Sequence, residues 1–179
     1  MHIFITIISI IICICLIMIW FISVYNRFQN LIIRINEAEV NIDAVLRKRF
    51  DLLNKSIDII KANTKTKDDV LSLIVKLRSR KLDNFDLDRK LYDAIKEFNS
   101  YKEMFPDLRT NESFVKIDIS ITESESEIEA FRRYYNDIIT DYNKLARAFP
   151  SNIAALIFKQ KSKPYFDGRE IEEDQAVKL

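Results

Sequence analysis

The sequence has very few of the residues that build tight turns and catalytic sites. Its 179 residues contain one glycine, three prolines and one histidine, His2. So few turn residues argue against a fold of many short strands and favour long helices. With His2 as the single histidine, a Ser-His-Asp or Cys-His site has no base, and a di-iron site of the Glu-x-x-His type has no imidazole. We therefore expect an all-α protein without catalytic, cofactor-binding or metal-binding residues.

The two cysteines and the charge balance argue against three further classes of protein: disulfide-rich, zinc-binding and nucleic-acid-binding proteins. Cys13 and Cys15 both lie in an apolar run, where Cys-x-Cys is typical of apolar filler and not of a disulfide framework or a zinc cluster. Lysine plus arginine number 28 and aspartate plus glutamate 27, for a net charge of +1. A chain this close to neutral has no bulk attraction for nucleic acid. The length suits one domain.

Residues 3 to 24 form an uncharged run of 22 residues. As a helix the run would be roughly 33 Å long, enough to cross a hydrocarbon core of about 30 Å. Trp20 and Tyr25 lie where interfacial aromatic residues are expected. A cleaved signal peptide is the competing interpretation, but no basic segment precedes the run, no Ala-x-Ala-like site follows it, and isoleucines precede the cysteines where a lipobox has small residues. We predict a transmembrane helix over residues 1 to 24, with the lipid bilayer as a partner.

The placement of basic residues predicts the orientation of this span. Only the amino terminus and His2 precede it, whereas Arg27 and Arg34 follow it, with no acidic residue before Glu37. Because basic residues favour the cytoplasmic side, we expect the amino terminus outside the cell and the rest of the chain in the cytoplasm.

Residues 111 to 149 have the clearest helical periodicity of the chain. Asn111 and Glu112 provide a helix start, and Pro150 ends the helix. Between them, residues at alternating steps of three and four form one apolar face. The members of this face are Phe114, Ile117, Ile121, Ser124, Ile128, Phe131, Tyr135, Ile138, Tyr142, Leu145 and Phe149.

A repeated aromatic-amide pair raises the question of a binding site. The pairs are Tyr25-Asn26, Tyr135-Asn136 and Tyr142-Asn143. The last two are seven residues apart, so both tyrosines fall on the apolar face just described. Their asparagines stand at its edge, where an amide can bond across to a neighbouring helix. We favour a role in holding helices together over a ligand site.

Residues 25 to 62 have a similar apolar face that shifts by one position part-way along. Its members are Phe28, Leu31, Ile35, Ala38, Ile42 and Val45, followed by Leu46, Phe50, Leu53, Ile57 and Ile60. Such a shift is a stutter. Since no glycine or proline separates Val24 from this segment, the membrane span is expected to continue into it as one helix.

The remaining segments complete a predicted bundle. Residues 67 to 82 and 85 to 104 are two helices or one broken helix, closed by Pro106. The segments 25 to 62, 67 to 104 and 111 to 148 have equal lengths and short connections, which predicts antiparallel packing. A short helix follows Pro150, and the polar tail from Gly168 is expected to be disordered. The predicted organisation is a span at 1 to 24, a bundle at 25 to 158 and a tail at 159 to 179.

Four stretches together resemble the LemA family of bacterial membrane-anchored helical proteins. They read IDAVLRKRFDLL at 42 to 53, FPDLRTNESF at 105 to 114, SESEIEAFRRYYNDIITDYNKLARAFPSNIAA at 124 to 155 and KPYFD at 163 to 167. The chain departs from the family pattern at Leu53-Asn54-Lys55, where the family has Ile-Pro-Asn, and at Val40, where tryptophan is common.

The resemblance implies an N-terminal span, an antiparallel helical bundle and no catalytic residues to carry over. Relatives are linked to envelope and membrane organisation, which implies a scaffold or adaptor. Relatives are also often encoded beside a membrane metalloprotease, so a regulatory or substrate-adaptor partner of such a protease is the alternative.

Three charged stretches are candidates for lipid, metal or nucleic-acid binding sites. Arg47 to Arg49 lie roughly 35 Å beyond the span on a straight helix, too far for lipid contact, and Arg49 falls on the apolar face, so we expect it to pair with Glu125 or Glu129. The second stretch is the acidic row Glu123, Glu125, Glu127 and Glu129. Spaced by two, these residues scatter round a helix and cannot converge on a metal, and Glu129 can pair with Arg132 or Arg133. The third is KQKSKPYF at 159 to 166, which we interpret as a solvated linker anchored by Tyr165 and Phe166 and not as a nucleic-acid site.

Overall fold

A computed structural model describes residues 2 to 64 and 84 to 166. The described helices are α1 His2–Thr64, α2 Asn84–Met104, α3 Glu112–Arg147 and α4 Ser151–Ile157, with a 3-10 helix at Pro106–Thr110 before α3. No strand occurs in these two ranges, so the all-α prediction is confirmed. The predicted helix over 67 to 82 and the predicted disorder from Gly168 lie outside the described residues.

α1 continues without interruption from the apolar run into the predicted bundle helix, as expected from the lack of glycine and proline. Its most apolar 18-residue window has a mean hydropathy of 3.1 and none of it is buried. By length and composition, α1 is thus able to cross a membrane. Further along the same helix, Val45 and Leu46 are both buried, which confirms the shift of the apolar face.

The apolar face of α3 is confirmed over most of its length. Its residues from Phe114 to Leu145 are buried, apart from the half-buried Phe131. The helix starts where predicted, because the side chain of Asn111 accepts a hydrogen bond from the N–H of Phe114 at 3.0 Å and so caps the first turn. The placement of Phe149 on this face was wrong. α3 ends at Arg147, two residues earlier, and the Phe149 side chain is 81% exposed.

The chain divides into two compact units. Among the described residues, unit 1 comprises 2 to 37 and 135 to 165, and unit 2 comprises 38 to 64, 84 to 134 and 166. In unit 1, the Phe28 ring of α1 packs edge-on against the Tyr142 ring of α3, with centroids 5.5 Å apart. α4 folds back so that Phe158, just beyond its end, lies 5.0 Å from the Tyr25 ring and 6.3 Å from the Phe21 ring.

The end of α4 is closed by a local hydrogen-bond pattern. Gln160 N–H bonds to Ala155 O at 2.8 Å and Lys159 N–H bonds to Leu156 O at 3.3 Å. These are the two bonds of a Schellman motif, which requires a left-handed residue that is usually glycine. Here that residue is Lys159, with φ of 55°. A lysine in this conformation carries a steric cost that glycine would not.

In unit 2, α2 runs antiparallel to α3. Asp88 pairs with Arg132, and Lys102 lies 2.8 Å from Asp118, so residue numbers rise on one helix as they fall on the other. α2 runs parallel to the adjoining part of α1, because Asn84 bonds to the carbonyl of Glu39 and Asp88 approaches Arg49. Antiparallel packing therefore holds for α2 and α3 but does not extend to α2 and α1.

Candidate functional site

Unit 2 contains a buried cluster of charges contributed by its three described α-helices. Arg49 of α1 donates from Nε to Ser124 Oγ at 2.9 Å and pairs through Nη2 with Glu125, both on α3. Its Nη1 lies 3.9 Å from Oδ1 of Asp88 on α2. Asp88 accepts a hydrogen bond at Oδ2 from Nη2 of Arg132 on α3. We call Arg49, Asp88, Glu125 and Arg132 the ion cluster. Its two cations and two anions balance.

The two central members of the ion cluster have almost no contact with solvent. Arg49 and Asp88 side chains are each 1% exposed, whereas Glu125 is 34% exposed. Burial raises the pKa of the Asp88 carboxyl from its usual 3.8, and the facing Arg132 and Arg49 only partly oppose this effect. Asp88 Oδ1 and Arg132 Nε have no hydrogen-bond partner among the residues that the structure describes. Burying the Asp88 carboxyl group in the ion cluster therefore costs free energy of folding.

Aromatic rings cover one side of the ion cluster. The guanidinium carbon of Arg132 lies 5.6 Å from the centroid of the Phe166 ring, and Phe166 stacks on Phe85 of α2 with centroids 4.5 Å apart. Phe166 is buried. A cation over an aromatic face is attracted to it, more strongly where water is excluded. Phe166 thus packs among the helices of unit 2.

Local sequence explains how each helix brings its charge inside. Arg49 lies on the buried side of α1 just after the shift at Val45 and Leu46. Asp88 precedes Leu91 by three residues and so shares the buried face of α2. All four charges can pair only when the three helices meet in one register. The ion cluster can therefore fix which faces of the helices pack together.

The expected pairing of Arg49 with Glu125 or Glu129 is confirmed, with Glu125 as the partner. Arg49 pairs with Glu125, whereas Glu129 is exposed and accepts from Arg133 only at its backbone oxygen, at 3.4 Å. Arg132 turns to Asp88 instead of Glu129. Sequence reasoning did not identify Asp88. A charged residue on the apolar face of α2 was the signal that could have identified it.

The acidic row does not converge. Glu127 pairs with Lys48 at 3.2 Å, Glu125 pairs with Arg49, and Glu123 is exposed. In the part of the chain that the structure describes, no group of three His, Cys, Asp or Glu side chains could hold a metal ion. Cys13 and Cys15 are both exposed on the apolar end of α1.

The pairs Tyr135-Asn136 and Tyr142-Asn143, which are seven residues apart, place both tyrosines in the packed interior of unit 1, as favoured from their spacing. Tyr135 and Tyr142 are buried, and Tyr142 donates its hydroxyl proton to Gln160 at 2.7 Å. Burial raises the pKa of this hydroxyl from 10.0. The side chain of Asn143 forms two bonds with the backbone of Lys163, at 2.9 and 2.8 Å. Asn143 thus binds the segment after α4 and not a neighbouring helix as expected.

The remaining candidate residues are the first Tyr-Asn pair and the two aromatic residues of the lysine-rich segment at 159 to 166. Tyr25 and Asn26 are both exposed at the surface of α1. In the lysine-rich segment, Phe166 is buried as predicted, whereas Tyr165 stays half in solvent with its hydroxyl 3.4 Å from Thr140 Oγ1. Phe166 is therefore the buried anchor of this segment.

Comparison with known proteins gives the family. The model of the LemA family matches residues 38–179. Protein LemA of Metamycoplasma hominis is 30% identical over 154 residues, which are 82% of this chain and 68% of that relative. The chain belongs to the LemA family. The stretches that carry the resemblance contain three of the four members of the ion cluster, Arg49, Glu125 and Arg132. They also contain Phe166, whose ring lies beside Arg132.

The LemA family match starts inside α1, after the apolar run, and unit 1 carries the second surface of interest. An open groove of about 640 Å³ lies between α1 and the end of α3. Its walls carry Arg27 and Lys144 toward one end and Trp20 and Phe149 toward the other. Beside the groove, α4 exposes several large apolar side chains.

Proposed function

We propose that this LemA family member is a non-enzymatic, single-pass protein of the bacterial inner membrane whose helical part acts as a scaffold or adaptor. The observation that carries the proposal is the continuity of α1. Its first 18 residues expose an apolar surface, and the same helix then buries Val24, Phe28 and Ile35 in unit 1. Because an α-helix without glycine or proline is stiff, the span and the buried part of α1 in unit 1 would form one continuous rod.

The composition of the buried sites supports a role without chemistry. In the ion cluster, the charged side chains face one another and leave no nucleophile beside a base. The single histidine of the sequence is His2, at the amino end of the apolar run. Such an arrangement suits packing and recognition more than turnover.

The basic residues that follow the span support a cytoplasmic location for the helical part. Arg27 and Arg34 come within three turns of Val24, and basic residues next to a span favour the cytoplasmic side. A scaffold placed there would reach proteins at the inner surface of the membrane.

Surface apolar residues offer sites for partners. Val40 on α1 and Ile119 on α3 are both well exposed in unit 2. Photo-crosslinking residues placed at these positions in living cells would capture what lies against them. Arg47, which is exposed and pairs with Asp43 one turn away, provides a surface position of different chemistry for comparison.

The crosslinking pattern tests the proposal. Adducts between copies of the chain, or with non-proteolytic membrane proteins, support a scaffold. Adducts with a membrane metalloprotease, together with accumulation of its substrates in a deletion strain, would replace the scaffold by the protease adaptor. A chain found in the soluble fraction after cell lysis would contradict the membrane anchor itself.

A further inference from the structure

α4 presents an apolar face that nothing in unit 1 covers. Phe149 is 81% and Leu156 82% exposed, and Ile153 and Ile157 are exposed as well. Ile153, Leu156 and Ile157 are spaced by three and four residues and so share one side of the helix, while Ala154 and Ala155 on the other side are buried. We call Phe149, Ile153, Leu156 and Ile157 the interfacial patch.

Contacts inside unit 1 give the level of α4 along the span. Phe158 packs against the rings of Phe21 and Tyr25, and these two residues bracket the end of the uncharged run. A membrane that surrounds residues 3 to 24 would therefore have its surface beside α4.

The neighbouring groove shows the same polarity along its length. On α1, Trp20 and Val24 precede Arg27 and Asn30, and on the opposite wall Phe149 lies toward the apolar end while Lys144 and Asp141 lie further back. Both walls thus change from apolar to charged over about two helical turns, or roughly 10 Å. This gradient matches the step from acyl chains to headgroups at a membrane surface.

We propose that the interfacial patch inserts into the leaflet that surrounds the end of the span, so that the protein contacts the bilayer at a second place. The inference rests on the proposed membrane anchoring and adds a contact that anchoring alone does not require. Lipid is the occupant favoured over a second copy of the chain, because the patch continues the exposed apolar surface of the span at the same level. The exposed Lys159 and Lys161 follow the patch, where they attract anionic headgroups.

Fluorescence quenching by brominated lipids tests this contact in the full chain reconstituted in vesicles. The sequence has a single tryptophan, Trp20, so W20F removes the native signal and L156W then reports on the patch. I33W in the same background is the control, since Ile33 is also exposed but lies nine residues, or about 14 Å, beyond Val24 within the unit 1 part of α1. Circular dichroism of each variant confirms that the helices are retained.

We expect the L156W signal to be quenched more strongly by lipids brominated near the headgroup end of the chain than by lipids brominated near its terminus, by about twofold or more, because interfacial helices lie about 5 to 10 Å deep. The I33W signal should be quenched much less than the L156W signal. If the native Trp20 is quenched and L156W is not, the anchor stands and the patch proposal is overturned. An unquenched, blue-shifted L156W signal would assign the patch to a second copy of the chain, which also overturns it. If Trp20 itself is not quenched, the membrane anchor fails.

Discussion

Replacing Arg49 by methionine tests what the ion cluster contributes. Methionine retains much of the apolar volume, so the main loss is the guanidinium that faces Asp88, Glu125 and Ser124. Breaking a buried ion pair on one side costs about 3 to 5 kcal/mol. Glu125 is partly exposed and can be hydrated, and Asp88 keeps Arg132. We therefore expect the free energy of unfolding to fall by about 3 kcal/mol, at the lower end of that range.

The pH dependence identifies where the loss arises. The pKa of Asp88 is raised in the folded state, so its contribution to stability is fully present below the unfolded value of 3.8 and is lost as pH rises through the folded pKa. Without Arg49 that pKa rises further, because one of the cations that oppose the effect of burial is gone. The difference between R49M and the natural chain should thus shrink as pH falls from about 7 to about 4.

Urea unfolding of the full chain in detergent micelles, followed by circular dichroism over this pH range, measures both effects. R47M is the matched control, since Arg47 is exposed and pairs with Asp43 on the helix surface, and it should leave the unfolding midpoint unchanged. Equal losses for R47M and R49M, or a loss for R49M that does not change with pH, would refute the description of the cluster.

A second variant separates stability from specificity. Replacing Arg49, Asp88 and Arg132 together by methionine, leucine and methionine removes all the buried charge at once, and should leave stability unchanged or raise it. If the cluster fixes the register of the helices, this variant should also give broader amide resonances in NMR spectra than the natural chain. A loss of several kcal/mol would show that the charges stabilise the fold outright.

Three further predictions follow from single residues. Tyr135→Asp should lower the free energy of unfolding by about 3 kcal/mol or more because Tyr135 is buried, while Tyr134→Asp, at an exposed neighbour, should cost less than about 1 kcal/mol; equal melting temperatures would contradict the buried position. Lys159→Gly should raise stability by up to about 1 kcal/mol in the same denaturation assay, since glycine adopts the positive φ without a Cβ clash, whereas Lys161→Gly should not. A cysteine at Asn26, in a background without the two natural cysteines, should be shielded from membrane-impermeant thiol reagents in intact cells, and labelling there would reverse the proposed orientation.

Periodicity predicted the helices well because each has one buried face. The faces of α1 and α3, including the shift between Val45 and Leu46, follow from steps of three and four and are confirmed by burial. The prediction that Phe149 lies on the apolar face was wrong because the spacing of apolar residues continues up to Pro150, whereas the helix ends at Arg147. Steps along a sequence cannot show where the last turn opens.

Of the ion cluster, only the pair of Arg49 with Glu125 could be predicted from the sequence. Arg49 on an apolar face had to find an acid, and the choice of Glu125 was available because α1 and α3 have clear faces. Asp88 could not be assigned as a partner, since its approach depends on α2 lying parallel to α1. That direction is set by packing between helices distant in sequence, which no local pattern encodes. Phe166 was foreseen as an anchor but not as the ring over Arg132.

The unbroken passage of α1 from the apolar run to Phe28 has a consequence for the angular setting of the span. Each residue of an α-helix turns the chain by about 100°, and the contact of Phe28 with Tyr142 fixes that angle in unit 1. If the apolar run crosses the membrane as proposed, packing outside the run would therefore set which of its residues face any neighbouring protein. Adding one alanine after Val24 would rotate the apolar run by about 100° about the helix axis relative to Phe28. The composition and length of the run would still be sufficient to cross a bilayer.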